Sequence, residues 1–176
     1  MILRSLQSSE IDLIWQHISR RELITQNYIQ KQQKLELVDC FFDVQNWDSY
    51  HLENDPPKLK QLFAQGSIFV GAFNASEKLV GVSVVSNQVI TDYPHAKLLH
   101  YFYVDADQQG QGIGSKLMQA AKESAKQLGA NQLYISATPS RRTVDFYMKH
   151  GAQPLSAPDQ QLWQLEPEDI HLLCKL

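Results

Sequence analysis

Cysteine is scarce in this sequence, and its two copies lie far apart. Cys40 and Cys174 are the only cysteines among 176 residues, and neither belongs to a CxxC pair or a Cys/His cluster. A disulfide framework or a zinc site would need spacings of that kind. We therefore expect two reduced thiols and no bound metal.

The sequence also lacks long apolar runs and an excess of basic residues. No stretch approaches the roughly 20 apolar residues of a membrane span, and MILRSLQSSE turns polar before a signal-peptide core could form. The formal net charge is −3, and the Lys and Arg residues are scattered rather than clustered in a basic stripe. We therefore expect a cytoplasmic protein with no nucleic-acid partner and no membrane partner.

Size and composition are those of an ordinary globular protein. With 43% hydrophobic and 20% charged residues, a chain of this length can bury a sizeable core. No repeat, low-complexity run or change in composition marks a domain boundary. We expect one α/β domain that spans residues 1–176.

The N-terminal third begins with clear patterns and then loses them. Residues 1–6 predict a strand, and SSEIDLIWQHISRREL, residues 8–23, predicts a helix from the spacing of its apolar residues. Residues 24–57 are rich in Gln and aromatic residues without a period, and favour a helix, a long loop or both. Asp55-Pro56-Pro57 predicts the entry to a short helix, KLKQLFAQG, that ends at Gly66.

The rest of the chain has clearer periodicity. SIFVGAF, the turn NASEK and LVGVSVVSN predict a hairpin, and AKLLHYFYV predicts a third strand of an antiparallel meander. A helix from Ile113 to Gly129, the strand QLYISAT and a helix capped by Ser140, SRRTVDFYMKHG, follow. QLWQL and DIHLLCKL predict one or two terminal strands.

Three glycines lie where the third strand of the meander gives way to a helix. In YVDADQQGQGIGSK they are Gly110, Gly112 and Gly114. Glycine lets a backbone approach a ligand closely and adopt positive φ, and unpaired N–H groups at a helix N-terminus bind phosphate oxygens. The pattern favours a phosphate-binding loop over the alternative of a plain strand-to-helix turn.

Two common phosphate-binding motifs do not fit this loop. The spacing from Gly110 to Gly114 is one residue too short for GxxxxGK[ST], and Ser115 intervenes before Lys116. A GxGxxG fingerprint would end on Ser115 or Leu117, and the strand QLYISAT ends without the acidic residue that dinucleotide sites carry. Neither nucleotide hydrolysis nor a dinucleotide is supported.

The pattern Gln109-x-x-Gly112-x-Gly114 directly after a strand resembles the acetyl-CoA motif [QR]-x-x-G-x-[GA] of the GNAT superfamily of N-acetyltransferases. QLYISATPSRRTVDFYMKHGA resembles the next strand and helix of that family, with its Phe-Tyr pair before a KxG turn. The resemblance covers residues 97–154. It implies a mixed, mostly antiparallel central sheet flanked by helices, with two strands splayed apart at the CoA site.

The resemblance also implies roles for individual residues. The loop amides would surround the CoA pyrophosphate, β-strand backbone would bind the pantetheine arm, and Ser140 stands where the family usually has Asn. The cofactor-binding residues implied in this way are Phe102, Tyr103, Val104, Gln109, Gly110, Gln111, Gly112, Ile113, Gly114, Ser115, Ser140 and Phe146.

Two residues are implied as catalytic. Tyr147 matches the family's tyrosine that protonates the departing thiolate, and the alternative is a tyrosine of the core. The family's usual strand glutamate is missing from LLHYFYV, so His100 is the nearest candidate base on that strand. Asp48, Glu53 and Asp55 are further candidates, and a strand N–H would hold the oxyanion.

The sequence thus predicts an N-acetyltransferase that moves the acetyl group of acetyl-CoA to a primary amine of a small molecule or peptide by direct attack on the thioester. Phe41, Phe42, Trp47 and Tyr50 either shape the acceptor pocket or close the core. A non-catalytic acyl-CoA-binding module on the same fold is the alternative. The expected partners are acetyl-CoA, an amine acceptor and a second copy in a homodimer.

Overall fold

The structure is a computed structural model that describes residues 1–31 and 34–176. Short 3₁₀ turns lie at Ser8–Glu10 and Ala106–Gln108. The described strands and helices are, in chain order, β1 (Ile2–Ser5), α1 (Leu13–His17), β2 (Glu22–Lys31), β3 (Lys34–Val44), α2 (Ser49–Ala64), β4 (Ile68–Phe73), β5 (Leu79–Val85), β6 (Ala96–Val104), α3 (Ile113–Gln127), β7 (Gln132–Ala137), α4 (Arg141–Lys149), β8 (Ala152–Pro154), α5 (Gln160–Leu165) and β9 (Ile170–Lys175).

Seven strands form the central sheet in the order β1-β4-β5-β6-β7-β9-β8. All neighbouring pairs are antiparallel except β6 and β7, which are parallel and are joined by the crossover helix α3. The predicted mixed, mostly antiparallel sheet with flanking helices is therefore confirmed. Strands β2 and β3 form a separate two-stranded sheet.

The alternation of β6 separates the apolar residues into two layers. Tyr101 belongs to a core cluster with residues of α1 and α2, whereas Phe102 packs against a cluster built by α3, α4 and β9. Successive side chains of a strand point to opposite faces of its sheet. Helices α1 and α2 thus cover one face, and α3 and α4 cover the other.

The predicted elements between residues 67 and 151 are confirmed. The meander is β4-β5-β6, and α3 buries Ile113, Leu117, Ala121 and Ala125 at helical spacing. Gly129 follows the end of α3 with φ of +80°, a conformation that glycine adopts without strain. The Ser140 hydroxyl accepts a hydrogen bond from the Thr143 N–H and so caps α4.

The helix predicted over residues 8–23 is wrong beyond His17. A 3₁₀ turn and the five-residue α1 take its place, and the chain is extended at Ile18, with φ −98° and ψ 116°. The indole N–H of Trp47 donates to the Ile18 carbonyl at 2.7 Å, which satisfies the backbone group that a longer helix would have used. Residues 22 and 23, the last of the predicted helix, instead begin β2 and pair with β3.

Residues 24–57 were predicted as helix or loop, and most of them are strand. β2 and β3 pair in antiparallel register from Glu22↔Val44 to Lys31↔Lys34. Residues 32 and 33 lie outside the described residues. The Tyr28 N–H donates to the Pro139 carbonyl at 2.8 Å, so the hairpin is anchored beside α4 by a contact distant in sequence.

The helix predicted to start at Asp55-Pro56-Pro57 starts earlier. The Asp48 carboxylate accepts from the His51 N–H at 2.9 Å and caps α2, so both prolines lie inside the helix. Each removes one backbone donor from the helix interior. Burial of Leu59 and Leu62 against the sheet offsets that loss.

QLWQL, one of the two segments predicted to supply one or two terminal strands, is helix α5. The buried Asp159 carboxylate accepts from the N–H groups of Gln161 and Leu162 at 3.1 and 3.0 Å, which starts the helix. The short strand β8 was not predicted. DIHLLCKL is confirmed as strand β9.

Candidate active site

A gap opens in the sheet between β6 and β7. Their parallel pairing covers only Ala96–Leu98 against Gln132–Tyr134, although both strands continue. The register of β6 on β5 also shifts between Leu99 and Tyr101, which leaves His100 in a bulge. A bulge bends and twists a strand locally, so it turns β6 away from β7 at this point. The described part of the chain thus places an unpaired edge of β6 along the gap.

The glycine loop lies at the open end of this gap. Gly110 and Gly112 have φ of +80° and +78°, and Gly112 is the N-cap of α3. A Cβ built on either residue would meet no atom within 4 Å, so the space above the loop is open. A left-handed N-cap presents first-turn N–H groups that have no intrahelical partner. The loop has the geometry of an anion cradle.

Gly114 has a different reason to be glycine. A Cβ at this position would lie 3.2 Å from Cε2 of Phe146. The absence of a side chain therefore lets the first turn of α3 pack closely against α4, which carries Phe146 and Tyr147.

Side chains from neighbouring elements hold the loop. The Gln109 amide donates to the Val104 carbonyl at 3.1 Å and accepts a hydrogen bond from the Arg142 guanidinium. Nε2 of His150 lies 3.1 Å from the Ser115 hydroxyl. The loop is thus tied to the end of β6 on one side and to α4 on the other.

A cavity of about 670 Å³ follows the gap and the loop. Most of the predicted site residues line it, namely His100, Phe102, Tyr103, Val104, Gln109, Gly110, Gly112, Ile113, Gly114, Ser115, Phe146 and Tyr147. Gln111 and Ser140 do not line it. Ser140 is buried, and its hydroxyl is engaged with Thr143 at the start of α4.

Tyr147 lies on the inner face of α4. Its ring is 5.9 Å from that of Phe102 and 5.3 Å from that of Phe146, centroid to centroid. Burial raises the pKa of the Tyr147 hydroxyl, and the neighbouring Tyr103 and Asp169 raise it further. The phenol is protonated at neutral pH and can donate a proton into the cavity.

His100 lines the cavity from the bulge of β6. Burial, with a smaller contribution from the charge of Lys58, lowers the pKa of its imidazole to about 4. Its Nδ1 is buried without a hydrogen-bond partner among the described residues. The ring is therefore neutral at pH 7 and only weakly basic.

Three carboxyl groups that line the cavity raise the pKa of the Tyr103 phenol. Burial raises the pKa of Tyr103 to about 12; Arg20 opposes the shift, and the charges of Asp55, Glu166 and Asp169 add to it. Asp55 comes from α2 and accepts from the Tyr101 hydroxyl at 2.9 Å. Glu166 and Asp169 come from the connection between α5 and β9. We call these three residues the acidic wall.

Sequence reasoning named Asp55 only as one of several candidates and missed Glu166, Asp169 and Arg142. Glu166 and Asp169 lie in a short polar segment with no motif, so no signal marks them. The four aromatic residues considered for the acceptor pocket lie in three different environments. Tyr50 lines the cavity, Trp47 is buried in the core, and Phe41 and Phe42 are exposed on β3.

Two further features concern the residues 1–31 and 34–176. No helix there is long and apolar enough to cross a membrane. No group of three or more His, Cys, Asp or Glu side chains in this part of the chain is arranged to hold a metal ion.

Solved structures that share the fold of this chain include acetyltransferases. Nourseothricin acetyltransferase is 16% identical, with a TM-score of 0.71 over 99% of this chain and 97% of that one. A protein of Bacillus anthracis str. Ames, named as a streptothricin acetyltransferase and solved with acetyl coenzyme A, is 15% identical, with a TM-score of 0.68 over 99% and 98%. PaiA N-acetyltransferase from Thermoplasma acidophilum, solved with coenzyme A, is 14% identical, with a TM-score of 0.66 over 99% and 98%.

Comparison of the sequence with protein families gives evidence that is independent of the fold. No curated protein sequence matches the chain. The model of the acetyltransferase (GNAT) family matches residues 32–152, which is more than half of the chain. This range includes β6, the glycine loop, α3 and α4. The chain therefore belongs to the acetyltransferase (GNAT) family of acyl-CoA-dependent N-acyltransferases.

Proposed function

We propose that this protein transfers the acetyl group of acetyl-CoA to a primary amine of a small molecule or peptide, by direct attack of the amine on the thioester. The observation that carries the proposal is the cavity that begins where β6 and β7 part and ends at the glycine loop. It joins an anion cradle, an unpaired strand edge and a phenol in one space. Residues 1–176 would form one domain.

In this proposal the glycine loop and β6 bind acetyl-CoA. The N–H groups of the first turn of α3, behind Gly112, would hold the pyrophosphate at the positive end of the helix dipole. The unpaired edge of β6 from Phe102 to Val104 would bond the pantetheine arm as an added strand would. Arg142, which fixes Gln109, adds a positive charge beside the loop.

Tyr147 would act at the leaving group. A neutral phenol at the inner face of α4 can give its proton to the departing thiolate. Backbone N–H groups at the bulge of β6 would hold the developing oxyanion, since dipoles of fixed orientation stabilise that charge without reorganising. His100 stays a predicted base, although its lowered pKa makes it a weak one.

The acceptor would approach from the acidic wall. Asp55, Glu166 and Asp169 favour a cationic group, and Tyr50 offers an aromatic surface beside them. Nourseothricin and streptothricin acetyltransferases share the fold. Antibiotics of the streptothricin class therefore belong in the panel of acceptors to be tested, together with diamines, aminoglycosides and lysine peptides.

The test has two stages. Calorimetric titration with acetyl-CoA, NADH and ATP should show binding of acetyl-CoA alone. Thiol release is then followed with each amine. No binding of acetyl-CoA would refute the proposal, whereas binding without thiol release for any amine would favour the non-catalytic alternative.

A further inference from the structure

The acidic wall contains one carboxyl group at the open end of the strand gap. Ile170, the first residue of β9, pairs with Ala137, the last residue of β7. Asp169 precedes Ile170 and lines the cavity, as does Glu166 in the same connection. Asp169 therefore lies just beyond the end of β7, on the β7–β9 side of the gap. The glycine loop follows β6, on the other side of the gap.

A buried network fixes the connection that carries Asp169. The Asp169 N–H donates to the Glu166 carbonyl at 3.2 Å, and Nε2 of His171 lies 3.2 Å from the same oxygen. Nδ1 of His171 lies 2.9 Å from the Tyr134 hydroxyl, which in turn accepts from the Asp159 N–H at 3.1 Å. Because the imidazole donates through Nε2, Nδ1 is the acceptor for Tyr134. These hydrogen bonds fix the backbone that carries the Asp169 carboxyl group.

Asp169 has no cationic partner among the ion pairs of the described residues. Burial raises the pKa of its carboxyl to about 7, and the charge and hydrogen bond of Glu166 contribute. The other ionisable groups that feel its charge are Tyr147 of α4 and Tyr103 of β6. The cations Arg142 and Lys149 of α4 line the same cavity.

The other candidate bases are less suited to the task. His100 has a pKa of about 4, so it holds a proton about 1,000-fold less well than a group with a pKa of 7. Asp55 is already engaged by the Tyr101 hydroxyl. Asp48 and Glu53 do not line the cavity.

We propose that Asp169 is the base that takes the proton from the acceptor ammonium, directly or through one water, on the side of the gap opposite the glycine loop. The inference rests on the proposed function. It assigns the missing base to the connection before β9 rather than to strand β6.

The protons balance with Asp169 and Tyr147 acting in sequence. The Asp169 carboxylate takes one proton from R–NH₃⁺, and the free amine attacks the thioester. The C–N bond forms, the C–S bond breaks, and the thiolate takes the proton of the Tyr147 hydroxyl. The proton that the attacking nitrogen sheds restores Tyr147, and Asp169 returns its own proton to solvent.

The test compares pH profiles of thiol release. In the parent protein, kcat/KM should rise with pH around a midpoint near 7, where Asp169 ionises. In Asp169→Asn this limb should disappear, and kcat/KM at pH 7 should fall about 100-fold. The Kd of acetyl-CoA should not change. A limb above pH 9 from the amine itself should persist in both.

Glu168→Gln is the matched control, because Glu168 is exposed in the same connection and does not line the cavity. It should retain the full profile. If Asp169→Asn loses acetyl-CoA binding, Asp169→Glu replaces it, and a limb with a displaced midpoint supports the role.

The outcomes separate the two proposals. An unchanged limb in Asp169→Asn or an undisplaced limb in Asp169→Glu overturns the role of Asp169 and leaves the acetyl transfer intact. Absence of thiol release from the parent protein with every amine overturns both.

Discussion

The two sides of the cavity are built from different parts of the polypeptide. One side is formed mainly by backbone groups. Gly110 and Gly112 border open space, and within the described chain the edge of β6 has unpaired N–H groups. On the other side lie the carboxyl groups of the acidic wall, which come from α2 and from the connection before β9. The first side depends on backbone conformation, whereas the second depends on which side chains are present.

This difference bears on how such a site diverges. A backbone cradle needs only glycine at a few φ-positive positions and a helix start, so it tolerates substitutions at most other positions. A wall of side chains changes with single substitutions and can fit one amine rather than another. We therefore expect changes on the backbone side to affect acetyl-CoA, and changes on the acidic wall to affect the acceptor.

The largest expected effect is at Tyr147, which stands between the two sides. Tyr147→Phe removes the hydroxyl and keeps the ring packed against Phe102 and Phe146. We expect kcat to fall about 100-fold, as for loss of a general acid. The Kd of acetyl-CoA from calorimetry should stay within twofold.

Tyr28→Phe is the control, because the Tyr28 hydroxyl donates to Asp145 of α4 at 2.8 Å and does not line the cavity. Its loss should lower stability by about 1 kcal/mol without changing kcat. An unaltered kcat in Tyr147→Phe would remove this residue from the mechanism.

The next largest effect tests the backbone side. Gly112→Leu should weaken acetyl-CoA binding at least tenfold, because the new side chain would occupy the open space above the loop. Gly129→Leu is matched to it, with φ of +80° against +78° and likewise open space around the Cβ.

Both glycine variants should lose about 1–2 kcal/mol of stability from the left-handed conformation. Only Gly112→Leu should lose affinity. Equal acetyl-CoA affinities for the two variants would show that the loop does not hold the ligand.

The sequence predicted the backbone side better than the acidic wall, for a physical reason. A glycine loop after a strand is a local pattern, since Gly112 needs only its neighbours to adopt φ of +78°. Asp169 gains its environment in part from β7 and α4, which are distant in sequence. The β2–β3 hairpin was missed for the same reason, because Tyr28 is held by Pro139.

A smaller effect is expected at Asp55, on the acidic wall. Asp55→Asn keeps an acceptor for the Tyr101 hydroxyl and removes the charge. We expect KM for a cationic amine to rise about fivefold, which corresponds to about 1 kcal/mol. The Kd of acetyl-CoA should not change.

Asp12→Asn removes a comparable carboxylate from an exposed pair with Lys60, outside the cavity, and serves as the control. It should leave KM unaltered. A rise in the Kd of acetyl-CoA in Asp55→Asn would mean that the two sides of the cavity are not separate.

The smallest effect concerns how the stability of the folded protein depends on pH through His100, in the bulge of β6. The pKa of His100 is about 4 when folded, below its ordinary 6.5, so the unfolded chain takes up the proton first and acid favours unfolding. From pH 7 to pH 6 this costs about 0.7 kcal/mol, or about 1–3 °C in Tm. Asp169 acts in the opposite direction, because its pKa is raised to about 7 and protonation favours the folded state.

The two groups therefore oppose each other in the parent protein, and variants are needed to separate them. The Tm of His100→Gln relative to the parent should be about 1–3 °C more favourable at pH 6 than at pH 7. His95→Gln, at an exposed position, should show no such change. If the Tm difference between His100→Gln and the parent does not vary with pH, burial at the bulge of β6 does not lower the pKa of the imidazole. His100 would then be basic enough to compete with Asp169 as the base.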